Sequence, residues 1–166
     1  MKKGAKRAAR GGSAGEPKRR AKNASTKGRS KRTATPTDGR AAPTPEQMVE
    51  LVARYVSAFN RGDVEAIVSL YHPRATMEDP VGYTPARGHR AIGTVYQGGF
   101  RQGVTIVLDG AIRCAGGSVA FPVVARTPQA TLQSVNVFDL SPDGRIERMR
   151  AYWGPYNVVG EIAVRG

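Results

Sequence analysis

Apolar residues recur at intervals of three and four after Pro45, which is the period of an amphipathic helix. Thr44 is placed to cap this helix, Gln47 completes a capping box, and Gly62 ends the pattern. The pattern therefore predicts a helix from Pro45 towards Gly62 whose buried face carries Met48, Leu51, Val52, Tyr55, Val56 and Phe59.

The same period predicts two further helices. Asp63 can cap a second helix, and a third short helix is expected after Gly88. Their inward positions would be Val64, Ile67, Val68 and Tyr71 in the second, and Ile92, Val95 and Tyr96 in the third. Each predicted helix thus offers one tyrosine to the core.

Elsewhere the period is that of β-strands. A short strand from Ala75 to Asp79 ends at Pro80, and alternation puts Met77 and Asp79 on one face. After residue 103, strands are predicted at about 104–114, 118–126, 130–140 and 145–154, joined by turns. Helices followed by an antiparallel meander predict an α+β fold, with the helices on one face of a curved sheet.

Residues 1–43 differ from the rest in composition. They contain 14 of the 26 Lys and Arg residues, two of the 13 acids, and no Val, Leu, Ile, Phe, Tyr or Trp. Such a segment cannot bury enough apolar surface to offset the entropy of ordering, so we expect a disordered basic tail before one domain at 44–166. The tail could attract phosphates, but it has no aromatic residues to stack on bases, and charge runs are usually solvated. We therefore favour a solubilising extension, or a start codon assigned too early, over nucleic-acid contact.

Several chemistries are excluded by what residues 44–166 lack. They contain no lysine, which removes phosphate-loop and Schiff-base mechanisms, and His72, His89 and Cys114 do not have the spacing of metal ligands. We expect neither a metal nor a cofactor. One cysteine, no apolar run that could span a bilayer and no signal-peptide pattern predict a soluble cytoplasmic protein without membrane contact.

Two inward polar residues are candidates for chemistry. Asp79 would aim a carboxylate at a core, where it needs partners or a function; the alternative is a turn residue that accepts hydrogen bonds from local backbone. Asn136 lies on a strand face with Leu132, Ser134 and Phe138, so its amide also points inward, unless it is only a satisfied core amide. The inward tyrosines could likewise be simple core residues with hydroxyls at the rim.

Four segments together carry a recognisable pattern: YVSAFNRGD at 55–63, ATMEDPVG at 75–82, SVNVF at 134–138 and MRAYW at 149–153. They resemble the bacterial ketosteroid isomerases, also called steroid Δ-isomerases, and the resemblance spans residues 44 to about 158. The Glu-Asp-Pro-Val-Gly element, with its Asp 24 residues after the inward Tyr55, is fairly specific. The Asn-x-Gly-Asp turn is common across the wider superfamily.

This resemblance implies the cone-shaped fold of the nuclear-transport-factor-2-like superfamily, which encloses a deep apolar pocket and usually forms a homodimer through the outer face of its sheet. The implied activity is the movement of a double bond from Δ5 to Δ4 in a 3-oxo steroid or a related ketone. No cofactor is implied.

The resemblance also implies a role for each candidate residue. Asp79 falls on the general base and Tyr55 on the oxyanion-hole tyrosine, with Tyr71 and Tyr96 as its hydrogen-bonded network. Asn136 falls where the family has a protonated aspartic acid, which is a departure from the pattern. Substrate-binding positions in the pocket wall would be Trp153, Met149, Phe121, Val123 and Ala125.

Two other functions fit the same fold. One is a different cone-fold enzyme, such as a polyketide cyclase or an epoxide hydrolase. The hydrolase needs two inward carboxylates around an arginine, whereas Asp139 is three residues from Asn136 and so lies on the opposite strand face. The other is a non-catalytic module that binds a lipid or steroid in the apolar pocket.

Overall fold

The first helix forms as its sequence predicts. The structure, a computed structural model, describes residues 42–161, so the predicted tail lies outside the described residues apart from its last two positions. Helix α1 spans Pro45–Asn60, and its capping box is complete: Thr44 Oγ1 accepts from the Gln47 amide at 3.3 Å, while Gln47 Oε1 accepts from the Thr44 amide at 2.9 Å. Tyr55 is buried on its inner face.

Two further helices follow as expected. Asp63 caps α2, Val64–Ser69, by accepting from the Ala66 amide at 2.9 Å. Helix α3, Gly88–Arg101, is longer than predicted, and it buries Ile92 and Tyr96. Its first residue, Gly88, has a φ of +73°, and a Cβ there would lie 3.3 Å from the Pro73 carbonyl oxygen. Glycine at this position therefore permits both the left-handed backbone and the close approach of β1.

The strands form one sheet, in the order β2-β1-β7-β6-β5-β3, with β4 paired to β5 and β8 to β6. The pairing of β1 with β7 is parallel, and the other strand pairs are antiparallel. A short 3-10 helix at Pro155–Asn157 precedes β8. The strands are β1 Tyr71–Glu78, β2 Ala86–Arg87, β3 Thr105–Leu108, β4 Arg113–Ala115, β5 Ser118–Arg126, β6 Ala130–Leu140, β7 Ile146–Tyr152 and β8 Val158–Gly160. The predicted α+β class with a curved, mostly antiparallel sheet is confirmed.

The strand predicted at 104–114 is in fact two strands, β3 and β4. Both pair with β5, on either side of Pro122, which has no N–H to donate to a continuous ladder. The Asp109 amide instead donates to the Pro122 carbonyl at 2.9 Å, and Gly110 passes Pro122 with a φ of +146°. The break is thus caused by a residue on the partner strand.

Strand β1 begins at Tyr71, four residues before the predicted start. A register shift between Tyr71 and Thr76 in its pairing with β7, together with Pro73, interrupts the simple alternation that a sequence pattern can show. Because of this earlier start, Tyr71 belongs to the sheet rather than to α2, yet it is still fully buried.

The inner face of the sheet and the helices enclose the core. One part of this interior is filled by large apolar side chains, among them Ile67, Ile92, Val119, Phe121, Phe138 and Met149. The other part remains open as a cavity. Within residues 42–161, no helix is both long and apolar enough to cross a membrane.

Candidate active site

A cavity of about 550 Å³ opens between the inner face of the sheet and helices α1 and α3. This volume is within the range of sites for drug-sized ligands. Four alternate residues of β6, from Ala130 to Asn136, line it, so at about 3.3 Å per residue it extends for about 20 Å along that strand. Most of the other lining side chains are apolar. The cavity can therefore hold a long, mainly apolar molecule.

Asp79 directly follows β1 and lines the cavity. Its carboxylate Oδ1 accepts a hydrogen bond from Trp153 Nε1 at 2.6 Å. The side chain is accessible from the open cavity, but protein atoms surround it on its other sides. This partial desolvation raises the pKa of the Asp79 carboxyl above its usual range, and the hydrogen bond from Trp153 lowers it in part. The Asp79 carboxylate therefore has an increased affinity for a proton.

Three tyrosine hydroxyls form a chain beside the cavity. Tyr96 on α3 lies in the middle, with its hydroxyl 2.6 Å from that of Tyr71 and 3.4 Å from that of Tyr55. The longer contact is donated by Tyr96, so the Tyr55 O–H remains free to donate into the cavity. Burial raises the pKa of all three phenols, which are therefore neutral donors at neutral pH.

Aromatic packing holds the Tyr55 ring in place. The rings of Phe59, Tyr96, Phe121 and Phe138 surround it edge-on, with centroid separations between 5.1 and 6.2 Å. Such contacts restrict ring rotation, so the direction of the hydroxyl is set before any ligand arrives.

Asn136 on β6 also lines the cavity and is 5 % exposed. Its Oδ1 accepts from Ser134 Oγ at 2.9 Å. Among residues 42–161, no acceptor pairs with the amide nitrogen of Asn136. The amide N–H groups are therefore available to a molecule in the cavity.

The structure brings together most of the site residues named from the sequence, but not all of the wall residues. Val123, Ala125 and Trp153 line the cavity, and Tyr71 stands behind Tyr96. The two others lie elsewhere. Phe121 fills the core between Tyr55 and Phe138, with centroid separations of 6.1 and 4.9 Å.

Met149 is the second predicted wall residue that the structure places in the core. It is 1 % exposed and stands in register with Met77 on one neighbouring strand and Phe138 on the other. Met149 therefore belongs to the buried core cluster and does not line the cavity. Its strand neighbour Ala151, on the same face, takes the lining position.

Two contacts in the site are not predicted by the sequence pattern. Trp153 lines the cavity, as the resemblance implies, and its indole N–H also donates to Asp79, 74 positions away, which no pattern predicts. The second contact is the hydrogen bond from Ser134 to Asn136. Their separation of two residues on one strand face is the signal in the sequence that could have indicated it. The cavity also contains Tyr83 and Thr84 from the segment between β1 and β2, for which no periodic pattern exists.

Among the described residues that line the cavity, Asp79 is the single carboxylate and no arginine is present. Asp139 faces away from it: its carboxylate accepts from Ser118 Oγ at 2.7 Å and from Arg150 at 2.8 Å. The site therefore combines one carboxylate with neutral hydrogen-bond donors.

Comparison with known proteins fits this arrangement. The family model of the SnoaL-like domain matches residues 52–149, more than half of the chain. The chain belongs to the SnoaL-like family. This protein is 37 % identical over 113 residues to a steroid Δ-isomerase of Nocardioides simplex, and the alignment covers 65 % of this chain and 90 % of that one. The resemblance to ketosteroid isomerases noted in the sequence is thereby confirmed.

The SnoaL-like chain is also similar to enzymes of another kind. It is 32 % identical to the epoxide hydrolase LasB of Streptomyces lasalocidi, with 72 % of this chain and 51 % of LasB covered. The solved structure of SalBIII, an epoxide hydrolase/cyclase-like enzyme with a role in pyran ring formation in the polyether salinomycin, matches with a TM-score of 0.66 at 32 % identity. That match covers 70 % of this chain and 97 % of SalBIII. These relatives are enzymes, and they divide between isomerase and hydrolase/cyclase chemistry.

Proposed function

We propose that this protein is a steroid Δ-isomerase that moves a double bond from Δ5 to Δ4 in a 3-oxo steroid or a related β,γ-unsaturated ketone. The observation that carries the proposal is the composition of the cavity: one carboxylate, Asp79, with the neutral donors of Tyr55 and Asn136 in a mainly apolar wall. The similarity to a steroid Δ-isomerase supports the same reaction.

The reaction needs one base that both takes and returns a proton. Asp79 would remove a proton from the carbon between the ketone and the double bond, which leaves a dienolate and a protonated Asp79. The same carboxyl then delivers that proton to the far carbon of the former double bond, and the conjugated ketone forms. One carboxylate suffices because no proton is gained or lost overall.

The environment of Asp79 suits this exchange. A general base works best when its pKa is near the working pH, and desolvation moves the carboxyl in that direction. The bond from the Trp153 indole opposes the shift and orients the carboxylate. Desolvation thus increases the affinity of Asp79 for the substrate proton, while the bond from Trp153 favours its ionised form.

The dienolate carries negative charge on the former ketone oxygen, and the proposed oxyanion hole consists of Tyr55 and Asn136. A phenol and an amide, preoriented in an apolar cavity, stabilise such charge better than mobile water does. The division of roles between an Asp base and neutral donors is the one known from ketosteroid isomerases. Asn136 supplies a weaker acid than the protonated carboxyl found in that family, so we expect a lower rate.

A turnover assay tests the proposal. Incubation with a 3-oxo-Δ5 steroid should produce the ultraviolet absorbance of the conjugated enone, and the Asp79→Asn variant should serve as the blank. Absence of enone at substrate concentrations that demonstrably bind would reject the isomerase and favour a binding module. Absence of both binding and turnover would reject a steroid ligand.

The second candidate is an epoxide hydrolase or cyclase, which the similarity to LasB and SalBIII favours. The cavity opposes it, because activation of water by a carboxylate pair needs a second acid, and Asp79 has no carboxylate partner among the described lining residues. The same preparation should therefore leave a hydroxy-epoxide substrate unchanged. Its conversion to a diol or a cyclic ether would favour this second function.

A further inference from the structure

Ser134 and Asn136 are adjacent polar residues on the inner face of β6, and both are buried, at 8 % and 5 % exposure. The cross-strand neighbours of Asn136 are Phe121 and Ala151, and Ser134 pairs with Val123. The surroundings of the Asn136 amide on this face are therefore apolar, with Ser134 Oγ as its hydrogen-bond partner at 2.9 Å.

The orientation of the Asn136 amide decides what it offers to the cavity. With Oδ1 accepting from Ser134, the N–H groups face the cavity and can donate to an anionic oxygen. If the amide were rotated by half a turn, its carbonyl oxygen would face the same place and would repel that charge. An asparagine side chain can adopt both orientations, so a neighbouring hydrogen-bonding group is needed to favour one of them.

The Ser134 hydroxyl provides this selection. Among residues 42–161, Asn136 Oδ1 is the acceptor of its O–H, and no second acceptor is present. In the rotated state the amide N–H would donate to Ser134 Oγ, but the Ser134 O–H would lose Asn136 Oδ1 as its acceptor, and this loss is costly for a buried hydroxyl. Donation to Oδ1 also polarises the amide, which strengthens the opposite N–H as a donor.

We propose that Ser134 is a positioning residue that holds the amide of Asn136 with its N–H groups towards the cavity, so that the pair recognises an oxyanion of the enolate or phenolate class. This role rests on the proposed function of Asn136 as an oxyanion donor. Ser134 also lines the cavity, but its O–H is donated to Asn136 Oδ1, and so it acts on the oxyanion through Asn136.

The kinetic test compares Ser134→Ala with two other variants. Ser134→Thr keeps the hydroxyl, and Ser118→Ala removes a comparable serine hydrogen bond, 2.7 Å to Asp139, on the outer face of the sheet. Loss of one neutral hydrogen bond should lower the kcat of Ser134→Ala by about 3- to 10-fold with KM within about twofold, while the two comparison variants stay within about threefold of wild type. An unchanged kcat in Ser134→Ala would overturn the proposal.

A double-mutant cycle separates positioning from direct participation. In an Asn136→Ala background, Ser134→Ala should cause no further loss, because the group that it orients is gone. An equal loss in both backgrounds would show that Ser134 acts independently of Asn136, which also overturns the proposal.

A binding measurement provides a readout that does not need turnover. A phenolic steroid offers an oxygen that resembles the dienolate oxygen, and its ultraviolet spectrum distinguishes phenol from phenolate. We expect Ser134→Ala to lower the bound phenolate fraction and Ser134→Thr to retain it. If the wild type ionises the phenol in this Ser134-dependent manner but does not convert the ketone, the positioning role stands and the isomerase proposal fails.

An equal phenolate fraction in the wild type and Ser134→Ala would overturn the positioning role. Thermal denaturation monitored by circular dichroism shows whether each variant is folded. Should Ser134→Ala not fold, Ser134→Cys keeps the volume with a much weaker donor and should give the same loss. A Cys variant with wild-type behaviour would contradict the proposal.

Discussion

Asp79 is the residue on which the proposed chemistry depends most directly. Asp79→Asn preserves size and polarity but removes the group that carries the proton, so isomerisation should nearly disappear while steroid affinity stays within a few-fold. Steady-state kinetics and a binding titration measure the two effects separately. Wild-type turnover in this variant would show that another group is the base.

The pH profile of kcat/KM reports the ionisation of the Asp79 carboxyl. Trp153→Phe removes the hydrogen bond that lowers the pKa of this carboxyl, and the acid limb of the profile should therefore move to higher pH. A limb that stays in place, or moves to lower pH, would contradict the assigned contact.

Asn136 allows two substitutions with opposite expected effects. Asn136→Ala removes one oxyanion donor and should lower kcat by roughly 10²- to 10³-fold, as is typical for the loss of such a donor. Asn136→Asp should raise turnover at neutral pH, provided that the apolar cavity keeps the new carboxyl protonated. At higher pH the carboxyl ionises, and this variant should then lose activity before the wild type does. Wild-type turnover in Asn136→Ala would leave Tyr55 as the single donor.

At the scale of the secondary-structure element, helix α1 fixes Tyr55, and the start of α1 depends on its capping box. Thr44→Ala should lower the free energy of unfolding by about 1 kcal/mol, which is the usual worth of an N-cap side chain. Thr94→Ala is a matched control, because the Thr94 hydroxyl bonds to the Arg90 carbonyl inside α3 and caps nothing. Urea denaturation measures the free energy of unfolding of both variants. Equal losses of this free energy would mean that the Thr44 cap contributes no more than the Thr94 hydroxyl does.

The strands show which features follow from local alternation and which depend on pairing with a neighbouring strand. Alternation predicted that Met77 would be buried and that Asp79 would share its face, and Met77 is 2 % exposed while Asp79 lines the cavity. The division of the predicted 104–114 strand, by contrast, depends on Pro122 in the neighbouring strand. A pattern within 104–114 contains no information about that proline.

At the scale of the whole molecule, all of the described residues that line the cavity lie from Tyr55 to Trp153. A variant without residues 1–41 retains the α1 cap, the core and this cavity, and should keep its kcat and its thermal midpoint. Enzyme assay and calorimetry on the shortened chain measure both. Loss of either property would give the basic segment a role in the folded enzyme and contradict its interpretation as a solubilising extension.

The expected homodimer also stays a prediction at this scale. The outer sheet face presents Val135 and Tyr152 as cross-strand neighbours, each 44 % exposed, which is an apolar pair that a partner chain could cover. Sedimentation equilibrium should give twice the chain mass of 17.7 kDa. A monomer at micromolar concentration would contradict the dimer.

The sequence by itself determined the features that depend on residues within a few positions of one another. The capping box, the inward Tyr55 and the shared face of Met77 and Asp79 follow from helical and strand periods, which are local. Only the tertiary structure decided the features that depend on packing between distant segments: the Trp153 bond to Asp79, the burial of Phe121 and Met149 in the core instead of the wall, and the direction of the Asn136 amide. Periodicity assigns a side chain to a face, whereas sheet register and the volumes of neighbouring side chains decide what it contacts there.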